Sequence, residues 1–155
     1  MRITNFKAVV DEDNRTVMVK ENTRNYLTHD AMNNPQKIAD LMTDIYEMDK
    51  QAVEYVYMLA LNSKGKVLGV YQVSKGTVNA SILAPREIYM AALMLGAVNI
   101  VITHNHPSGD PEPSRDDISS TKRIADAGNL IGIKLMDHVI IGNDRHYSMK
   151  EAGAL

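Results

Sequence analysis

Val98-Asn-Ile-Val-Ile-Thr-His-Asn-His-Pro-Ser-Gly-Asp-Pro-Glu-Pro-Ser-Arg-Asp-Asp117 changes character twice within one short stretch. Val98 to Thr103 is apolar enough for a strand buried at the centre of a sheet. His106 to Pro113 is dense in turn formers, and Ser114 opens a helix that the pattern carries to about Ala127, with Gly128 as its stop signal. Upstream, Pro85 starts a helix whose stripe is Ile88, Ala91, Ala92 and Leu95, closed by Gly96. Before it lie two strands, Tyr55 to Leu61 and Val67 to Val73, joined by the Gly-containing turn Asn62 to Lys66; Lys75-Gly-Thr77 breaks the second. Asn34-Pro35 is an N-cap followed by proline at the first helical position, and Ile38, Leu41, Met42, Ile45 and Tyr46 recur at helical spacing, so a helix is predicted from Pro35 to Met48. Ile131 to Ile141 supplies one or two further strands. Helix, two strands, helix, strand, helix, strands is the order of an α/β fold with helices packed on the faces of a mixed sheet.

The N-terminus stands apart from this order. Phe6 to Val10 and Thr16 to Val19 are short β-prone runs around the polar cluster Asp11 to Arg15, which reads as a hairpin appended to the domain. Glu21 to Asn34 is polar and patternless. The expected organisation is therefore a hairpin extension and linker over residues 1–34 and one domain over residues 35–155.

Composition narrows the chemistry. The chain has 155 residues, 45% of them hydrophobic, enough for one proper core. Cysteine is absent, which removes disulfides, thiolate nucleophiles, Cys-ligated zinc and iron–sulfur clusters, so any metal must be held by His, Asp or Glu. Lys and Arg number 17 against 19 Asp and Glu, so strong non-specific nucleic-acid binding is not expected. Met1 to Lys7 has no cleavage pattern, and no apolar run approaches the ~20 residues of a membrane span, so the expectation is a cytoplasmic chain without a membrane partner. Oligomeric state is not legible here.

In an extended chain His104 and His106 project to one side while Asn105 points away. Asp117 sits in the first turn of the next helix, and the Pro/Gly-rich loop is long enough to fold its carboxylate back onto the imidazoles. Two His and one Asp leave one tetrahedral position open, as in a catalytic zinc site. Plainer readings exist for each part. An H-x-H pair alone fits two partly exposed histidines equally well, Ser114 with Asp117 fits a capping box, and Ser108 and Gly109 fit a turn. His138, within an apolar strand, reads as a core residue or a partner of a ligand; His29 and His146 lie in polar surroundings. Tyr55 and Tyr57 alternate at strand period and read as packing.

His-Asn-His-Pro-Ser-Gly followed by Pro-Ser-x-x-Asp resembles the JAMM (JAB, MPN+) metalloprotease motif, and more narrowly the version found in the RadC family, historically described as DNA repair proteins. Gly76-Thr77, Pro85-Arg86-Glu87, Asp137-His138 and Ser148 also match the family, and the resemblance covers about residues 35 to 150. It implies a cytidine-deaminase-like three-layer α/β/α sandwich, although the deaminases' own His/Cys/Cys site cannot be built without cysteine. It implies one Zn2+ per chain on His104, His106 and Asp117, and Glu54 as the general base that activates the zinc-bound water, with Ser114 donating to the developing oxyanion as well as, or instead of, capping its helix. Nothing in the spacing singles out Glu54. Glu87 is the alternative base, but the helix dipole already explains its place in a first turn. Two departures stand out: the helix-hairpin-helix region that precedes this domain in full-length members is missing, and the N-terminal hairpin lies outside the resemblance. The implied activity is zinc-dependent hydrolysis of a peptide or isopeptide bond in a peptide or protein substrate. The alternative is a DNA-repair or DNA-processing accessory in which the domain serves binding or assembly.

Overall fold

Alternation in the central strands explains the layers of the computed structural model, which describes residues 1–28, 30–76 and 83–155. The elements are β1 (Arg2–Val10), β2 (Thr16–Asn25), α1 (Pro35–Tyr46), β3 (Glu54–Leu61), β4 (Val67–Gly76), α2 (Pro85–Met94), β5 (Asn99–Asn105), α3 (Arg115–Ile131), β6 (Lys134–Ile141) and β7 (His146–Ser148), with a 3-10 turn at Met48–Lys50. The strands form one mixed sheet in the order β2-β1-β4-β3-β5-β6-β7. Leu59, Leu61, Val101, Val139 and Ile141 point to one face and pack under Ile38, Leu41, Met42 and Ile45 of α1. Val56, Met58, Ala60, Ile100 and Ile102 point to the other and meet Ile88, Ala91 and Ala92 of α2 and Ile124 of α3. Burying both faces of β3 and β5 requires near-continuous apolar runs, and those runs are what the sequence carries. The result is the helix, sheet, helix sandwich expected of the α/β reading.

Helix α1 starts as predicted: the Asn34 side chain accepts from the Gln36 N–H at 2.8 Å, and Pro35 takes the first helical position. It ends sooner, at Tyr46, where Glu47 adopts a left-handed conformation (φ 49°). Helix α3 ends later than its internal glycine suggested. Gly128 lies inside α3, and the left-handed cap is Gly132 (φ 86°). A Cβ on Gly128 would stand 2.2 Å from the Tyr89 hydroxyl and 2.4 Å from the Ile133 carbonyl, so this glycine serves close packing of α2 on α3, not helix termination.

The hairpin is an edge extension of the main sheet, with β1 running parallel to β4 through Asn5 and Phe6. Phe6 lies over Gly69, where a Cβ would come within 2.6 Å of the ring. Strand β2 continues to Asn25, so Glu21 to Asn25 are strand and not linker; the pairs Thr4–Thr23 (3.2 Å) and Asn5–Asn22 (2.6 Å) hydrogen-bond across it. Tyr57 packs on Tyr46 with ring centroids 4.7 Å apart, as a packing role requires. Among the described residues no helix is long and apolar enough to cross a membrane. His29 and Thr77 lie outside the described residues.

Candidate metal centre

Three elements bring the site together on the α2/α3 face of the sheet. On β5, His104 follows Ile100 and Ile102 in phase and so faces α3. On β6 the register slips between Leu135, opposite Ile100, and Asp137, opposite Val101. That irregularity turns His138 to the same face as Leu135, although the two are three residues apart. On α3, Asp117 and Thr121 are one turn apart and both buried. His106 comes off the end of β5, its N–H donating to the Ile141 carbonyl at 3.0 Å. Gly109 shapes the following loop in a left-handed conformation (φ 82°), against Asn143, where a Cβ would clash at 2.4 Å.

His104 Nε2 lies 3.0 Å from His106 Nε2 and 3.4 Å from Asp117 Oδ1, and His106 Nε2 lies 3.7 Å from Asp117 Oδ2. His106 Nδ1 is 2.7 Å from the Asp110 carbonyl, which can only accept, so the proton of neutral His106 is on Nδ1 and Nε2 is bare. His104 Nδ1 is engaged by His138 at 2.7 Å, which leaves its Nε2 also directed at the cluster. Two imidazole nitrogens and a carboxylate thus converge, and the His106 nitrogen among them is bare. An ion with ligands at about 2.0–2.1 Å in tetrahedral geometry sets them roughly 3.3–3.4 Å apart, so the spacing and the donor set both fit a small divalent cation. His104, His106 and Asp117 could hold a metal ion, and among the described residues no other group of His, Asp and Glu does so.

Burial and neighbouring charge act in opposite directions here. Burial pushes the His104 imidazolium well below its usual range, with His138 adding to the effect, and burial holds His138 down to about 4. His106 is raised, first by the Asp117 carboxylate, which faces its Nε2 at 3.7 Å and favours the imidazolium, and further by the Asp110 carbonyl and the charge of Glu54. Burial alone would raise Asp117, but His106 in its protonated form beside it and the Ser114 hydroxyl and N–H, which both donate to its carboxylate, reverse this and hold it well below the carboxylate range. A metal ligand should be deprotonated; the lowered His104 and Asp117 favour that state, and the raised His106 opposes it.

The Ser114 hydroxyl accepts from the Asp117 N–H (3.1 Å) and donates to Asp117 Oδ2 (2.6 Å), while the Ser114 N–H donates to the same oxygen (2.8 Å). The capping box is therefore real, and it aims the carboxylate. Glu54, His106, Pro107, Ser108, Ser114, Asp116 and Asp117 line a cleft of about 360 Å³ over the cluster. Glu87 is not among its lining residues and ion-pairs with Arg86. His146 lies on β7 and does not line the cleft.

Two buried groups at the site escaped the sequence. Asn105, pointing away from the histidines, accepts from the Tyr55 N–H (2.8 Å) and donates to the Val53 carbonyl (3.1 Å), which clamps the chain on either side of Glu54 to the end of β5. Thr121 bonds both α3 and His138. A polar residue between the two histidines and a threonine one turn after Asp117 were the only signals available for either.

An α/β sandwich with a His-x-His strand end and an aspartate in the following helix defines a class of protein with a His-His-Asp group that could hold a metal ion. A family model described as the RadC-like JAB domain matches residues 32–154, and the chain belongs to this family. It is 40% identical over 148 residues to a UPF0758 protein of Caldanaerobacter subterraneus, covering 96% of this chain and 60% of that protein. A UPF0758 protein of Clostridium beijerinckii is 43% identical over 138 residues, covering 85% and 59%, and one of Clostridium perfringens 43% over 129, covering 83% and 56%. The chain thus spans less than two thirds of the length of these curated relatives.

Proposed function

We propose that this chain is a zinc-dependent hydrolase of amide bonds, a metallopeptidase or isopeptidase that acts on a peptide or protein. The observation that supports it is the convergence of the His104 and His106 Nε2 atoms and the Asp117 carboxylate beneath a cleft that Glu54 also lines. Zinc on His104, His106 and Asp117 would supply a Lewis acid for the scissile carbonyl and lower the pKa of water to about 7. Glu54, held by the strand that Asn105 clamps, takes a proton from the attacking water on its carboxylate and returns it to the leaving nitrogen. The lining of the cleft includes the acids Glu54 and Asp116. Ser114 keeps Asp117 aimed; its hydroxyl reaches a developing oxyanion only by turning from the carboxylate. A mixed imidazole and carboxylate set with three protein ligands supports zinc.

The test is a screen of an unbiased peptide library and isopeptide-linked peptides with zinc-loaded protein. Cleavage that stops with a chelator and returns on adding zinc is the expected result. Cleavage that survives complete metal removal would contradict it.

A further inference from the structure

Behind His104, three buried side chains form a chain of hydrogen bonds that leads back to another ligand of the cluster. Thr121 Oγ1 lies 2.6 Å from the Asp117 backbone carbonyl and 2.6 Å from His138 Nδ1, and His138 Nε2 lies 2.7 Å from His104 Nδ1. Thr121, His138 and His104 are each fully buried, so bulk solvent does not compete for these bonds.

Counting protons along the chain leaves one arrangement. A carbonyl oxygen can only accept, so the Thr121 hydroxyl spends its single proton on Asp117. Thr121 Oγ1 then has only lone pairs left for His138, so His138 carries its proton on Nδ1 and donates it. A neutral imidazole has one N–H, so His138 Nε2 is an acceptor and the proton of the next bond belongs to His104 Nδ1. The other nitrogen of His104, Nε2, is left bare, and it is the one directed at His106 and Asp117.

We infer that Thr121 and His138 are positioning residues that lock His104 in its Nδ1–H tautomer, with Nε2 presented as a metal ligand, by anchoring the proton order on the backbone carbonyl of Asp117. The inference rests on the metal site proposed above. It gives two residues outside the ligand set a defined task. It also explains why a threonine one turn after Asp117 is useful: the same hydroxyl ties the helix that carries one ligand to the strand that carries another. Valine at 121 would keep the shape but give His138 Nδ1 no acceptor, and His138 could then carry its proton on Nε2. That proton would point at His104 and push the His104 proton onto Nε2, where it blocks the ligand position.

The experiment measures zinc affinity by competition with a chromophoric chelator for wild type, Thr121→Val and Thr121→Ser. It also reads imidazole tautomers by long-range proton–nitrogen NMR on the zinc-free chain. Thr121→Val should bind zinc about 10–100-fold more weakly, the usual effect of losing a hydrogen-bond partner of a ligand, and Thr121→Ser should bind like wild type. In wild type both His104 and His138 should be Nδ1–H tautomers. Wild-type affinity in Thr121→Val, or Nε2–H on His138 in the wild-type chain, would overturn the inference. If wild type takes up no zinc, the metal reading fails, while the tautomer pattern still decides the relay. If Thr121→Val does not fold, Thr121→Ser and the wild-type spectrum carry the decision.

Discussion

Stripping metal with a chelator and lowering the pH from 7.5 to 4.5 puts protons on histidines in the unfolded chain that the fold keeps off. His138 is held down to about 4 by burial, against about 6.5 in an unfolded chain. A depressed pKa contributes stability that is complete above the unfolded value and is lost as the pH falls towards the folded one. Between pH 7.5 and 4.5 this single group should cost about 2–3 kcal/mol, at 1.4 kcal/mol per unit. His104, also lowered by burial, acts in the same direction. His106 is raised, so its contribution is complete below about 6.5 and does not change across the lower part of the window. Asp117 is depressed, and its contribution survives until the pH nears 4. Asp137, raised by burial, opposes the loss at the acid end, but it is common to wild type and variant. In a chain of 155 residues the His138 effect corresponds to a melting temperature lower by roughly 5–10 °C. Thermal unfolding of chelated wild type and His138→Gln across this range isolates it, because the variant should show a slope smaller by about one proton. Equal slopes for the two proteins would refute the claim that His138 is held neutral.

Glu54→Gln should keep zinc content and melting temperature near wild type while peptide hydrolysis falls on the order of 10²–10⁴-fold; loss of zinc instead would make Glu54 a ligand. Asn105→Ala removes both hydrogen bonds that hold Val53 and Tyr55, so it should lower stability by about 1–3 kcal/mol in denaturant titrations and slow hydrolysis at unchanged zinc occupancy. Full activity in a destabilised Asn105→Ala protein would restrict this residue to the fold. At physiological salt the chain should bind random duplex DNA only weakly, given 17 basic against 19 acidic residues; tight binding that falls steeply with salt would favour a DNA-processing role.

Patterns that local physics controls were legible in the sequence. Apolar runs in β3 and β5, the Asn34-Pro35 start of α1 and the His-x-His alternation at the end of β5 each follow from side-chain direction or capping, and each stands as expected. Features that depend on a distant partner were not. Gly128 looks like a helix stop until Tyr89 and Ile133 are seen against it. The slip on β6 between Leu135 and Asp137 leaves no mark in a run of mostly apolar residues, yet it turns His138 to His104. The polar stretch Glu21 to Asn25 carries no strand pattern because β2 is an exposed edge held by cross-strand polar pairs. At the site, His104, His106 and Asp117 stood out as candidate ligands by their pattern together with the resemblance, whereas Asn105 and Thr121 act through backbone groups from other elements. Glu54 stood out only by resemblance, since its closeness to His106 comes from the pairing of β3 with β5.

Elemental analysis of protein purified without chelator tests the central claim most directly, run on wild type beside His104→Ala, His106→Ala and Asp117→Ala. The account predicts about one zinc per wild-type chain and a sharp loss in each variant, because a mononuclear site with three protein ligands does not survive on two. Full zinc occupancy in a chain lacking both histidines, or a wild-type chain that takes up no divalent metal even when zinc is supplied, would contradict it.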